Sequence, residues 1–276
     1  MRRATQEEYK VEVLKVLERI HDVCVCHGIR YAIAYGTLLG AVRHKGFIPW
    51  DDDVDIVLPR EDYPLFRKYF PKEDGSYYVL DSDVSPYYYN NFPRACSNSM
   101  VLKLTGVNNI DGLGPFVDLF LMDEWPSDEE ETRLYRAEIR EAYRNVIYAL
   151  PSRSLMTHTM KSRIGMYLHP WMLIKNRFFV GLEKRQEEKR LILTKYEGKG
   201  TGRRMVSFER VLEPDDFFVS EEQMGERFLI PFENLQVYAP AYYKEMLESF
   251  YGDYMTLPPE EQRISKHHFI PYWQND

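Results

Sequence analysis

Cysteine is scarce in this chain: three residues in 276, Cys24, Cys26 and Cys96. An odd count without framework spacing excludes a disulfide scaffold. Cys24 and Cys26 are two apart, which is not the C-x-x-C spacing of a redox or zinc pair, so reduced, partly buried thiols are expected. Long apolar runs are missing too. None approaches the roughly 18 residues of a spanning helix. The N-terminal stretch MRRATQEEYKVEVLKVLERI carries two arginines but no apolar h-region, so it does not read as a signal peptide. The expectation is a cytoplasmic protein that at most lies on the inner face of a membrane. Internal repeats and low-complexity tracts are absent. No nucleic-acid motif occurs and the pI is about 5.6, so a nucleic-acid partner is not expected.

What is present is a chain with 44% hydrophobic and 29% charged residues, long enough to bury one large core. Aromatics reach 14%, with 21 Tyr. The net charge of −7 is unevenly spread: residues 132–204 hold 17 Lys+Arg against 6 Asp+Glu, leaving the remainder at −18. Such asymmetry suits an anionic partner on one surface.

Residues 5–27 predict an amphipathic helix. Thr5 with Glu8 forms a capping-box pair, Tyr9, Val13, Leu17, Ile20 and Cys24 recur at helical spacing, and Gly28 stands just past the end. RYAIAY (30–35) reads as a buried strand, Gly36-Thr37 as a turn, and LLGAV as a short helix. VDIVL (54–58), YYVL (77–80), MVLKL (100–104) and FVDLFLM (116–122) read as strands, with a helix at REDYPLFRKYF. This order predicts a mixed α/β core ending near residue 123. A helix with an acidic first turn follows over 126–150 and leads into the basic, helical region. The tail from 205 reads as short segments and turns.

The densest signal is Asp51, Asp52, Asp53 and Asp55, four carboxylates in five positions at the start of an apolar strand. A calcium loop would need glycine where Ile56 stands. A solvated acidic turn does not explain Asp55, a charge inside an apolar strand, which is costly unless something positive meets it. A metal site explains more. Residues two apart in a strand share a face, so Asp53 and Asp55 aim at one point. Two hard oxygen ligands suit Mg²⁺, with Mn²⁺ as its alternative, and water and substrate phosphate fill the remaining positions. Asp118, flanked by Val117 and Leu119, is a second carboxylate placed inside an apolar strand, and the two violations point to one shared site. Gly36 and Thr37, between a strand and a helix, would let phosphate approach backbone N–H groups.

YGTLLGAVRHKGFIPWDDDVDI, FVDLFLMD and YGDYMTLPPEEQR together resemble the LicD family of phosphotransferases, within the nucleotidyltransferase fold, with fukutin and fukutin-related proteins as distant relatives. The resemblance covers roughly residues 30–268, least in the middle third. It implies one LicD-like domain: a nucleotidyltransferase-like core over 1–125, a basic helical insertion over 126–204, and a C-terminal segment over 205–276 that completes the site. It further implies transfer of phosphocholine, or a related phospho-alcohol, from CDP-choline or another CDP-alcohol to a sugar hydroxyl of a lipopolysaccharide or teichoic acid precursor, releasing CMP. A nucleotidyltransferase acting on a sugar phosphate or protein, and a non-catalytic metal-binding module, stay open as alternatives.

Under this reading Asp53, Asp55 and Asp118 hold the metal, and Asp118 helps to deprotonate the acceptor. Asp51 or Asp52 orients a ligand or a water. Arg43, whose planar fork suits phosphate, is preferred over His44 and Lys45 for neutralising the departing group. His267 and His268 match the family's C-terminal end. Choline would need ring faces, and Trp50 is the first choice among Tyr77, Tyr78, Tyr87, Tyr88 and Tyr89. The 161–204 region, where aromatics mix with Lys175 and Arg177, suits an anionic lipid surface or a lipid-linked acceptor.

Overall fold

The computed structural model describes residues 1–85, 88, 92–105, 110–150, 170–206, 219–264 and 269–274. Helix α1 (Gln6–His27) obeys its capping signals. Thr5 Oγ1 accepts from the Glu8 N–H at 3.1 Å, and the Glu8 carboxylate accepts from the Thr5 N–H at 2.8 Å. Gly28 ends the helix at φ 67°, a conformation that costs glycine little. Val13, Val16, Leu17 and Ile20 are fully buried, and α1 packs across the strands Arg94–Ser97 and Phe116–Glu124, which carry Arg94 and Asp118.

The main sheet contains β1 (Ala32–Ile33), β2 (Asp55–Pro59), β3 (Tyr77–Leu80), β4 (Arg94–Ser97) and β6 (Phe116–Glu124), in the order β1-β2-β6-β4-β3. A late strand, β7 (Arg204–Val206), pairs with β6 beyond the reach of β4. Among the described strands of this sheet only the β2–β6 pairing is parallel, so the sheet is mixed, as an α/β chain of this pattern predicts. All nine residues of β6 are buried, which is what a central strand requires. Off the sheet, β5 (Met100–Leu104) pairs with β10 (Phe269–Trp273), and β8 (Arg227–Phe232) with β9 (Leu235–Pro240) makes a hairpin that turns at Glu233, φ 52°.

Helix α2 (Tyr35–His44) follows β1 directly. The 30–35 strand is therefore shorter than expected, because Tyr35 takes φ 47° and starts the helix, so that Gly36 and Thr37 sit in its first turn and not in a separate turn. A 3₁₀ turn, Arg60–Asp62, leads into α3 (Tyr63–Tyr69). Helix α4 (Glu129–Ala149) starts at Asp128, which caps the Glu131 N–H at 2.9 Å. Next come α5 (Pro170–Ile174), a π-helical stretch Lys175–Val180, and α6 (Leu182–Leu193). Trp125, Tyr135, Ile139, Tyr143, Leu193, Tyr196 and Met205 form a second, aromatic core under α4 and α6. The tail is more regular than expected. Besides the hairpin and β10 it holds α7 (Glu221–Gly225) and α8 (Tyr243–Tyr251), and α8 packs on α2. Among the described residues no helix is long and apolar enough to cross a membrane.

Candidate functional site

Parallel pairing of β2 with β6 sets Asp55 directly beside Asp118. Neighbouring strands lie about 4.8 Å apart and register partners share a face, so these two carboxylates start on one side of the sheet. The backbone of Asp55 is fixed twice: its N–H donates to Thr37 Oγ1 at 2.8 Å, and its carbonyl accepts from the Ala34 N–H at 3.0 Å. Thr37 is buried, and its Oγ1 accepts this bond from beneath the aspartate strand.

Gly36 is approached by a carboxylate: a Cβ built there would lie 3.0 Å from Asp51 Oδ2. Asp52 is turned the other way, toward α1, where Gln6 Nε2 donates to its Oδ2 at 3.2 Å. Arg94 answers the demand that a buried carboxylate makes for a cation. Its Nε donates to Asp118 Oδ1 at 2.6 Å, and its guanidinium lies 3.9 Å from the Phe116 ring centroid. Burial opposes the charge on Arg94, but Asp118 outweighs it and holds the pKa above the ordinary arginine value.

The implied divalent cation can be tested against these donors. Among the described residues, no three His, Cys, Asp or Glu side chains converge into a closed cage. Asp118 Oδ1 is engaged by Arg94. Asp53 and Asp55 remain, and two carboxylates completed by water and substrate phosphate are an adequate set for Mg²⁺.

Beyond the aspartates stands a wall from the C-terminal segment. Arg43 donates from Nη1 to the Tyr254 carbonyl at 3.0 Å and from Nε to His44 Nε2 at 2.9 Å. Burial and the neighbouring Arg263 lower the Arg43 pKa, and burial with Arg43 lowers that of His44, which accepts as a neutral ring. Arg263 lies over Trp50, 5.7 Å from the ring centroid, and His44 meets Trp50 edge-on at 6.4 Å. Tyr251 borders the cluster: burial first, then Asp55, Asp51 and Asp53, push its pKa up. Lys45 does not join this group. It is the exposed C-cap of α2 at φ 61°, at the far end of a ten-residue helix from Gly36. His267 and His268 lie outside the described residues, as do Tyr87 and Tyr89.

Sequence reasoning missed Arg94, Arg263, Tyr251 and Gln6. The Asp118 position signalled that a cation was needed but not which one, and Arg263 closes the quoted YGDYMTLPPEEQR block. The cysteines take no part. Cys24 and Cys96 are buried, which pushes each thiol up to about 12, and Cys26 is exposed.

Residues 28–162 match the model of the LicD/FKTN/FKRP nucleotidyltransferase domain. The chain is 25% identical to the lipopolysaccharide cholinephosphotransferase LicD of Haemophilus influenzae over 97% of each chain. A shorter stretch of 49 residues, 18% of this chain and 10% of the other, is 45% identical to the human ribitol 5-phosphate transferase FKRP. Mannosyltransferase regulator 4 of Saccharomyces cerevisiae is 24% identical over 41% of this chain and 9% of its own. The aspartate block and the register that joins it to Asp118 fall within the matched stretch, so residues 28–162 are similar to the LicD/FKTN/FKRP nucleotidyltransferase domain, and the chain as a whole resembles a LicD protein.

Proposed function

We propose that the chain is a transferase that moves phosphocholine, or a closely related phospho-alcohol, from a CDP-activated donor to a sugar hydroxyl of a cell-surface glycan. The observation that carries this reading is Asp55 in register beside Asp118, with Asp53 just before the strand, in a chain similar along 97% of its length to a lipopolysaccharide cholinephosphotransferase. In the reaction the acceptor oxygen bonds to the phosphorus that bears the alcohol. The bridging P–O bond breaks, its electron pair leaves with CMP, and the hydroxyl proton passes to a carboxylate of the cluster. Asp53 and Asp55 would hold a divalent cation, which when bound neutralises diphosphate charge in an in-line displacement. Thr37 fixes the Asp55 backbone and Arg94 orients Asp118. Arg43 and Arg263 bring positive charge to the side where the nucleotide leaves.

A trimethylammonium group binds to ring faces. Arg263 already covers Trp50, so the rings beside Asp55 suit it better: Tyr35 with Phe250 at 5.2 Å, and Phe250 with Tyr251 at 6.4 Å. Away from this site, Trp171, Phe178 and Phe179 are 66%, 76% and 75% exposed, with the exposed Lys175 among them. Aromatic rings beside basic side chains suit the headgroup level of an anionic lipid surface. We read this stretch as the contact that brings the enzyme to a lipid-linked acceptor.

The test is a donor panel of CDP-choline, CDP-ribitol and CDP-glycerol, incubated with deacylated lipopolysaccharide in Mg²⁺ or in EDTA and read as CMP. CMP from one donor, suppressed by EDTA and lost in Asp55→Asn, is the expected result. Pyrophosphate from a nucleoside triphosphate, with no CMP from any donor, would replace this reading with nucleotidyl transfer.

A further inference from the structure

A cavity of about 410 Å³ lies away from the aspartates, between α6, the start of α3 and β6. It opens at a break along the edge of β6: among the described strands, β4 pairs with β6 as far as Asp118, and β7 joins only at Met122. Leu121, within the break, and Val206, at the end of β7, both line it. Arg60, just past the end of β2, lines it too. Asp55 starts that strand, and at about 3.3 Å per residue its length alone sets the two roughly 15 Å apart. The cavity is therefore separate from the carboxylate cluster. Its volume falls within the roughly 300–1,000 Å³ of small-molecule sites.

Most charges in its wall are already matched. Asp81 accepts from the Tyr63 hydroxyl at 2.6 Å and from the Asp83 and Val84 N–H groups at 2.9 and 3.0 Å. Asp83 accepts from Arg67 Nη1 at 2.6 Å, and Glu187 from Arg190 Nε at 2.8 Å. Glu183 is exposed to solvent. Arg60 donates to Asp123 through Nε and Nη2, so Nη1 is the donor not spent on that pair. Lys189 differs from all of these. Its ammonium lies 5.0 Å from the Tyr143 ring centroid, and it makes no hydrogen bond or ion pair among the described residues. Burial and Arg60 lower its pKa, and Asp83, which opposes them, is already held by Arg67. A charge withdrawn from water is ordinarily paired. Here the unpaired one faces a cavity. Because Asp123 balances Arg60, one positive charge is left to match.

We propose that this cavity is a second ligand site, which takes the singly charged head of a small organic anion on Lys189 and Arg60 Nη1 and seats its apolar body against Phe92, Leu121, Leu193 and Val206. A carboxylate and a phosphodiester both supply such a head, whereas a dianion would leave one charge unmatched. The site stands independently of the transfer reaction. Octanoate, dibutyl phosphate, octylammonium and inorganic phosphate are titrated calorimetrically into wild type and Lys189→Met. Octanoate or dibutyl phosphate binds the wild type, and binds Lys189→Met at least about tenfold more weakly, as loss of a charged hydrogen-bond partner requires. The variant without ligand melts no lower than wild type at pH 7, because an unpaired charge has been removed, so lost binding is not lost structure. The two anions tell a carboxylate site from a phosphodiester site, and tight binding of either supports the proposal. A second measurement locates the ligand. The bound anion protects Lys189 of the wild type from acetylation, read by peptide mass spectrometry, and leaves the exposed Lys184 reactive. Four results overturn the proposal: no binding of either anion at millimolar concentration, equal affinity in Lys189→Met, equal binding of octylammonium or inorganic phosphate, and acetylation of Lys189 that the anion does not slow.

Discussion

Replacing Arg94 with methionine tests the electrostatic core of the site. Arg94 Nε lies 2.6 Å from Asp118 Oδ1, and the two side chains are 14% and 9% exposed. Removing one partner of a buried pair strands the other charge and costs about 3–5 kcal/mol. The slight exposure of both groups favours the lower end. Methionine keeps an apolar contact with Phe116, so the lost cation–π contact adds little. The expected loss is about 3 kcal/mol, which at roughly 2 °C per kcal/mol for a chain of this size lowers Tm by about 6 °C. The double variant R94M/D118N should recover most of it, because both charges are gone and the coupling energy appears as non-additivity. Magnesium supplies an independent arm. Once Arg94 is absent, Asp118 is available to a cation held by Asp53 and Asp55, so millimolar MgCl₂ should raise the Tm of R94M more than that of wild type, by mass action on the folded state. Differential scanning fluorimetry reads all of these. An R94M protein within about 1 kcal/mol of wild type would refute the claim that Asp118 depends on this cation, and an equal magnesium response in both proteins would remove Asp118 from the metal set.

Three further outcomes follow from other parts of the molecule. Lys189 lies under Tyr143, 5.0 Å from its ring centroid, and burial together with Arg60 lowers its pKa to about 8. An amine with a folded pKa below its unfolded value of about 10.4 weakens the fold at neutral pH, and the penalty fades as pH rises through that window. Lys189→Met should therefore raise Tm at pH 7 and lose the advantage near pH 10; a gap constant with pH would contradict this. Gly40→Ala would gain about 1 kcal/mol of helix propensity, yet its Cβ would stand 2.4 Å from the Gly46 carbonyl oxygen. Net destabilisation in thermal melts is expected, and a more stable variant would show that α2 and the Gly46 loop are not in close contact. Co-sedimentation with phosphatidylglycerol vesicles should be lost in W171S/F178S/F179S and weakened by salt; wild type that stays in the supernatant at low salt removes the lipid contact.

What the sequence disclosed was local or periodic. Thr5, Glu8 and Gly28 bound α1 because caps act within four residues. Strands β2 and β6 were visible because Asp55 and Asp118 interrupt apolar runs that only a buried strand explains. What it concealed depends on pairing across distance. No spacing links Arg94 to Asp118, 24 residues away, yet antiparallel register between β4 and β6 brings them side by side. Arg263 reaches Trp50 through the returning C-terminal segment, a pairing that no spacing discloses. Tyr35 was placed in a strand because its aromatic neighbourhood favours one, and a positive φ leaves no compositional trace.

Four aspartates in five positions are tolerated because the chain disperses them. Asp51 lies against Gly36 at the start of α2, where a helix N-terminus favours negative charge. Asp52 turns back to Gln6, and Asp55 is held by its backbone to Thr37 and Ala34. The Gln6 amide and the Asp52 N–H donate to the Asp52 and Asp51 carboxylates, at 3.2 Å each, and lower the cost of those charges. Asp118 has a guanidinium at contact distance; the guanidinium groups of Arg43 and Arg263 are instead directed at the Tyr254 and Pro258 carbonyls. Under the proposed function the diphosphate of the donor would meet this cluster of carboxylates, and a divalent cation held by Asp53 and Asp55 would neutralise charge between them, so donor binding is expected to depend on the cation. Omitting Mg²⁺ should abolish the thermal shift given by a CDP-alcohol, and a donor shift of equal size in EDTA would show that this charge is neutralised by the protein alone.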